Sequence, residues 1–554
     1  VNNGHRLSVR IPPELRDAVR ERVAAAAEER VAERLRGADA TLWGPAGTPE
    51  LANRLGWLTI AERMLEQLEE IEAFAAEVRE AGLTDVVLLG MGGSSLAPEV
   101  LRRSFGEQAG HPILHVLDST DAEDILAVQA AVDLEHTLFV VSSKSGGTIE
   151  PLSLYAHFHS LIAEGSHFIA ITDPGSGLAE LAGAQGFRRT FLGDPDIGGR
   201  YSALSPFGIV PGALMGADVR SLLEGASAAW QTQLDQTELD GAAPDAGASM
   251  PAAVWLGAAL AGLARAGRDK LTFIIGDSLP GLGLWLEQLV AESTGKHGTG
   301  ILPVAEEPLG EPSEYGPDRV FAYLPELGHS DPQTDRRVLE LAAAGHPVVT
   351  IPTTGPPDLG RVFMLAELAT AVVGWGLQIN PFDQPNVQQA KDATNRVLAG
   401  YEAQHELPQR PDADGPALAE LAVGAAPPGY VAIMAYTRPT AELDQALAGL
   451  RAAIRAASSM TTTFGYGPRF LHSTGQFHKG GPRTGRFLQL LHDGPEDVEI
   501  PGRPFTFTTL KNAQAIGDFD TLSELGLPAQ RLHLDVGDPV GAIRALTASI
   551  REQT

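Results

Sequence analysis

Val86-Val87-Leu88-Leu89-Gly90-Met91-Gly92-Gly93-Ser94-Ser95 passes from four apolar residues into a glycine-rich turn, and a helical pattern follows. A short apolar run closed by glycines and then a helix is the format of a strand feeding a crossover. The format recurs at 113–117, 138–141 and 168–171, each run leading through a polar or glycine-rich turn into a helix-like segment. This alternation predicts right-handed crossovers and a parallel sheet with helices on both faces. A second set follows, with strands expected at 271–275, 320–323 and 348–351 and helices at 282–293, 335–344, 362–377 and 387–399. A third set has strand-like runs at 430–435, 487–491, 505–509 and 531–534. The predicted class is α/β throughout.

The chain divides accordingly. Residues 1–82 read as a helical segment packing on the core: Pro12-Pro13 opens a run dense in Ala, Glu, Arg and Leu, and 58–81 has apolar positions at helical spacing. Residues 83–230 form the first sheet domain, 251–402 the second, and 425–554 a smaller α/β extension. The polar, Gly/Ala/Pro-rich stretches 231–250 and 403–429 read as boundaries.

With 554 residues, two or three domains are the natural division. The formal net charge of -29 repels nucleic acid and anionic membranes, so neither is an expected partner. Any anion site must be a local focus of donors. The absence of cysteine excludes disulfides, thiolate zinc sites and thiol nucleophiles. Val1 to Arg6 lacks the basic-then-apolar pattern of a signal peptide. The apolar runs 252–264 and 362–377 are too short or too charged for membrane spans and read as buried helices. The expected compartment is the cytoplasm.

In open parallel sheets ligands bind beyond the carboxyl ends of strands, so the loops there carry the chemistry. Gly90 to Ser95 resembles a dinucleotide fingerprint, with Asp118 as a ribose-binding acid, but Ser95 stands where the last glycine belongs. The loop Ser142 to Thr148 offers the hydroxyls of Ser143, Ser145 and Thr148, backbone donors around Gly146 and Gly147, and Lys144, all ahead of a helix start. Such an array holds a phosphate. It lacks the Walker spacing, so ATP is not implied. Gly198-Gly199-Arg200-Tyr201-Ser202 places an arginine in a flexible turn, and Gln288 and Glu292 share one face of a helix ending at Gly295-Lys296. Asn380 to Pro385 is a stiff loop opening the helix that carries Lys391. No histidine or carboxylate spacing points to a metal site.

Five segments in order carry a resemblance. They are Gly90-x-Gly92-Gly93-Ser94, Ser143-Lys144-Ser145-x-x-Thr148-x-Glu150, Gly198-Gly199-Arg200-Tyr201-Ser202, Gln288-x-x-x-Glu292-Ser293-x-Gly295-Lys296, and Asn380-x-Phe382-Asp383-Gln384 leading to Lys391. Over roughly residues 50 to 400 the chain resembles the phosphoglucose isomerase family, in its bacterial branch also found fused behind a transaldolase. The resemblance implies two sugar-isomerase-type sheet domains, no metal and no organic cofactor. It implies interconversion of glucose 6-phosphate and fructose 6-phosphate, a step of glycolysis and gluconeogenesis, through a cis-enediol. Ser143, Ser145 and Thr148 would bind the phosphate with Lys144 nearby, and Gly93 and Ser94 would line the sugar site. Glu292 would be the base, Arg200 would stabilise the enediolate, Gln288 would contact the sugar, and Lys391 would assist ring opening. It also implies a homodimer, unless the extension supplies the interface groups within one chain.

The sequence departs from the family in three places. Gly146 and Gly147 replace bulkier residues in the phosphate loop, the chain continues well beyond the Lys391 helix, and the ring-opening histidine has no counterpart in register. His346 lies in the right region of the chain. Alternatively the polar, Gly-rich stretch 466–482 closes over the sugar and supplies His472 or His478. Two other functions stay open at this level: a non-catalytic phosphosugar-binding module, and an isomerase acting also on mannose 6-phosphate.

Overall fold

Apolar runs such as 86–89 form strands buried on both faces, as sheets covered on both sides require. In the computed structural model, which describes residues 6–232 and 250–552, three sheets organise the chain. A short strand, β1 (Ser8–Arg10), comes first. The first sheet holds β2 (Asp85–Leu89), β3 (Ile113–Leu117), β4 (Thr137–Ser142), β5 (Phe168–Thr172) and β6 (Arg189–Leu192), all parallel, in the order β3-β2-β4-β5-β6. The direction of connection reverses between β2 and β4. The loops leaving that point are the glycine turn after β2 and the Ser/Gly loop after β4, which is where such a sheet opens a crevice.

The second sheet holds β7 (Lys270–Ile275), β8 (Leu302–Val304), β9 (Arg319–Leu324) and β10 (Val348–Thr350), in the order β1-β10-β9-β7-β8. β1 runs antiparallel along its edge, with Ser8 opposite Thr350. The third sheet holds β11 (Tyr430–Tyr436), β12 (Thr461–Tyr466), β13 (Gly485–Leu491) and β14 (Ala529–His533), all parallel, ordered β12-β11-β13-β14.

The structure corrects several sequence expectations. The helical reading of the N-terminal segment omits β1, which is too short to show a period. β6 and β12 also escape the sequence reading because they lack an apolar run, reading Arg-Thr-Phe-Leu and Thr-Thr-Thr-Phe-Gly-Tyr, and β8 because it is three residues with a central proline, Leu-Pro-Val. The strand expected at 505–509 is the start of helix Phe507–Glu524: Thr506 caps it, its hydroxyl accepting from the Thr509 amide at 3.2 Å. The boundary read at 403–429 contains helix Gly415–Val423, capped by Asp414 and tied to β13 by Arg486, which donates to the Leu421 carbonyl at 2.7 Å. Most of the boundary read at 231–250 lies outside the described residues.

One core joins the first two domains. It runs from helix Arg16–Glu28 through helices Ile60–Glu80, Ala252–Arg265 and Leu359–Leu377 to both sheets. Among the described residues one segment, Pro356–Leu377, is long and apolar enough to cross a membrane, and it is 89% buried inside the fold. The opposite face of the first sheet is covered partly by Phe507, Leu510 and Ala513 of helix Phe507–Glu524. Burial of Phe507 and Leu510 stabilises that contact by about 1.5–3 kcal/mol each. The extension is therefore packed into the body of the first domain rather than hung beside it.

Candidate active site

The loop after β4 meets helix Ile149–Ile162 at Thr148, whose side chain makes no cap to the helix amides. The first turn carries amide N–H groups only at Ile149 and Glu150, because Pro151 has none. Ser143, buried beneath the loop, donates its hydroxyl to Thr148 Oγ1 at 3.0 Å, and Ser145 Oγ stands 3.5 Å from the same atom. Gly146 has φ +67°, and a Cβ there would sit 2.7 Å from Ser176 Cβ, so glycine is required. Lys144 pairs with Asp173 and donates to the Asp194 carbonyl at 3.1 Å, which fixes its ammonium beside the loop.

The glycine turn after β2 docks on the turn carrying Arg200. A Cβ on Gly93 would overlap the Gly199 carbonyl, so two backbones meet directly. Arg200 is not in a flexible turn as its sequence suggests. It lies in a 3-10 turn, Gly199–Tyr201, and is 2% exposed. Its guanidinium donates to Ser293 Oγ at 2.8 Å, Gln384 Oε1 at 3.0 Å, the Pro381 carbonyl at 2.6 Å and the Asp383 carbonyl at 3.1 Å. It also meets Glu292 Oε2 at 3.4 Å. Five fixed donors suit arginine to this junction.

Gln288 and Glu292 share a face of helix Leu282–Thr294, as their spacing predicts. Burial pushes the Glu292 carboxyl above its ordinary range, and Arg200 and His472 offset this only in part. Lys296 is held by the Asn380 carbonyl at 2.8 Å and Asp383 Oδ1 at 2.7 Å, with burial lowering it to about 8. Lys391 stands on helix Val387–Gln404 at the rim of the same cleft.

The extension completes the wall. Its 3-10 turn Arg469–His472 enters between the sheets, and the His472 carbonyl accepts from Gln288 Nε2 at 2.8 Å. His472 Nε2 donates to Glu150 Oε1 at 3.0 Å. Burial pushes Glu150 up, but His472 and Lys391 leave its carboxyl net below the ordinary range.

These groups enclose a cavity of about 340 Å³ lined by Gly93, Ser94, Lys144, Ser145, Thr148, Arg200, Gln288, Glu292, Lys391 and His472. Ser143 stands behind the loop and bonds Thr148, which lines the cavity. The other two candidate histidines are elsewhere. His346 is buried edge-on against Tyr315 and Phe321, with burial lowering its pKa. His478 bonds the Tyr430 hydroxyl through Nδ1 at 3.0 Å and is lowered to about 3 by burial. Neither lines the cavity. Asp118, the acid of the dinucleotide reading, accepts from Ser95 Oγ at 3.1 Å and faces Arg469 at 3.7 Å. Among the described residues there is no group of three or more His, Asp or Glu arranged for a metal.

The sequence reading omits Glu50, Arg54 and Asp173, all on the cavity wall. Arg54 donates to the Pro195 carbonyl at 3.0 Å, one residue from the carbonyl that holds Lys144. No motif surrounds Arg54 or Glu50. Asp173 was findable as the polar residue that follows β5, one loop along from the phosphate loop.

Fold and cleft define an α/β protein of the sugar-isomerase type, with the Ser/Gly loop after β4 sharing a cavity with a buried carboxylate–guanidinium pair. The sequence model of the family described as phosphoglucose isomerase matches residues 27–301. A glucose-6-phosphate isomerase of Rubrobacter xylanophilus is 29% identical over 430 residues, covering 68% of this chain and 95% of that protein. One from Thermus thermophilus is 30% identical over 400 residues, covering 63% of this chain and 92% of that protein. The crystal structure of a hypothetical protein from Thermus thermophilus superposes with TM-score 0.57 at 27% identity, over 71% of this chain and 100% of that one. A glucose-6-phosphate isomerase from Chlamydia trachomatis shares the fold at TM-score 0.56 and 20% identity, over 70% of this chain and 86% of that one. The chain belongs to the phosphoglucose isomerase family.

Proposed function

We propose that the protein interconverts glucose 6-phosphate and fructose 6-phosphate through a cis-enediol, with Glu292 as the base. The observation that carries this is the Glu292–Arg200 pair at 3.4 Å, buried in the same cavity as the phosphate loop. The phosphate rests on Ser145, Thr148 and the Ile149 amide at the start of helix Ile149–Ile162, with Lys144 adding charge. Gly93 and Ser94 floor the sugar and Gln288 contacts it. His472, held by Glu150, delivers a proton to the ring oxygen as its bond to the anomeric carbon breaks and the anomeric hydroxyl gives up its own proton to become the carbonyl, with Lys391 beside it. Glu292 then takes the proton from C2 and returns it to C1, since both carbons present the same face of the enediol. Arg200 stays charged throughout and stabilises the oxyanion that forms.

The test is conversion of fructose 6-phosphate to glucose 6-phosphate by the purified protein, with solvent deuterium followed at C1 and C2. Turnover with deuterium entering at the transferred position is expected. No turnover with fructose 6-phosphate still bound would make the protein a phosphosugar-binding module and overturn the reading.

A further inference from the structure

The His472–Glu150 pair has a third member that no local motif announces. Gln514 lies on helix Phe507–Glu524 of the extension and is 2% exposed. Its Nε2 donates to Glu150 Oε1 at 2.7 Å, the same oxygen that accepts from His472 at 3.0 Å. Its Oε1 accepts from the Thr120 hydroxyl at 2.9 Å, and Thr120 is fully buried in the loop after β3. The carboxylate fixes which end of the amide is the nitrogen, because Glu150 when ionised only accepts, and the carbonyl end is left for the Thr120 hydroxyl. The donors therefore run one way: Thr120 to Gln514, Gln514 to Glu150, and His472 to Glu150.

We propose that Gln514 is a positioning residue for ring opening. With two donors on Oε1, the Glu150 carboxylate has one orientation. That orientation engages His472 through Nε2 and leaves Nδ1 as the ring nitrogen for the substrate. A neutral amide suits the position. It satisfies the carboxylate without adding charge beside it, whereas an apolar side chain leaves buried Glu150 short of a donor. The network alternates between the two halves of the molecule, with Thr120 and Glu150 from the first sheet domain and Gln514 and His472 from the extension. The extension is thus part of the proton-handling apparatus, and the site is assembled within one chain.

This inference rests on the isomerase reading above, and its test separates the two. Gln514→Leu and Thr120→Val are assayed on fructose 6-phosphate, which must open its ring. They are also assayed on 5-deoxyfructose 6-phosphate, which lacks the O5 needed to close that ring. The expected result is a fall in kcat of about 10- to 100-fold on the cyclic substrate for Gln514→Leu, with KM nearly constant and the locked-open substrate little affected. Thr120→Val should show the same selectivity to a smaller extent, and Thr120→Ser should recover what Thr120→Val loses. Equal losses on both substrates would reduce Gln514 to a packing role and overturn the proposal. So would wild-type rates on both. If Gln514→Leu does not fold, Thr120→Val and its serine rescue decide. A parent protein that turns over neither substrate would sink the isomerase reading itself.

Discussion

Glu292 is 4% exposed and Arg200 2%, so the proposed proton transfer would take place where little water competes. Glu292→Gln keeps the shape but removes the proposed base, and a loss of about 10²- to 10⁴-fold in kcat is expected. The pH profile follows from the direction of its shift. The base works only when ionised, and burial raises its pKa, so activity is lost as pH falls through a value above the usual ~4.3. An acid limb of kcat/KM at the pH of an exposed glutamate would contradict this. Arg54→Ala removes a cation from the wall near the phosphate loop, and KM for fructose 6-phosphate should rise up to about fivefold with kcat nearly unchanged. At this scale the sequence is legible where a residue sits in a segment with its own signature, as Ser145, Thr148 and Arg200 do in their turns and Glu292 does four residues after Gln288 on one helix face. It is illegible for the histidine. His346, His472 and His478 all look eligible in one dimension. Only packing shows that two of them are buried among aromatic rings and one enters the cleft.

The element that matters most is the short helix Gly475–Gly480, which follows the turn carrying His472. Gln476 on it accepts from the Asn386 amide at 2.9 Å and donates to Asn386 Oδ1 at 2.8 Å and the Gly295 carbonyl at 2.9 Å. It bolts the end of the Glu292 helix to the start of the Lys391 helix. Gln476→Ala should destabilise the fold by about 1–3 kcal/mol, read by thermal unfolding, and speed amide exchange across residues 382–392. Unchanged exchange there would show that the bolt is not needed. Regular elements were readable wherever burial on both faces demanded an apolar run, as at β2, β4 and β5. Residues 505–509 misled because Phe-Thr-Phe-Thr-Thr has strand composition, while the Thr506 hydroxyl decides for a helix.

Across the whole molecule, Lys511 of the extension pairs with Asp121 of the first domain at 2.7 Å, both 1% exposed. Lys511→Ala leaves the buried Asp121 carboxylate without its counter-ion, with only the Glu123 and Asp124 amides still donating to it, and a loss of about 3–5 kcal/mol in stability is expected. Although burial lowers the Lys511 pKa, Asp121 and Asp493 raise it net above the ordinary value. Its contribution is therefore full below the unfolded value near ~10.4 and is lost as pH rises through the higher folded value. Denaturant midpoints compared at neutral pH and above that value should converge for wild type and variant; a gap that persists would count against the pair as the cause.

The α/β alternation, the Ser/Gly loop after β4 and the family were all legible in the sequence, because each rests on short segments whose backbone geometry is set by residues close together in the chain. How the site is finished was settled by packing. Glu150 meets His472 across 322 residues and Gln514 across 364, and Thr120 reaches Gln514 across 394. Contacts at such separation exist only once the extension has buried Phe507 and Leu510 against the first sheet. Nothing local in the sequence depends on them.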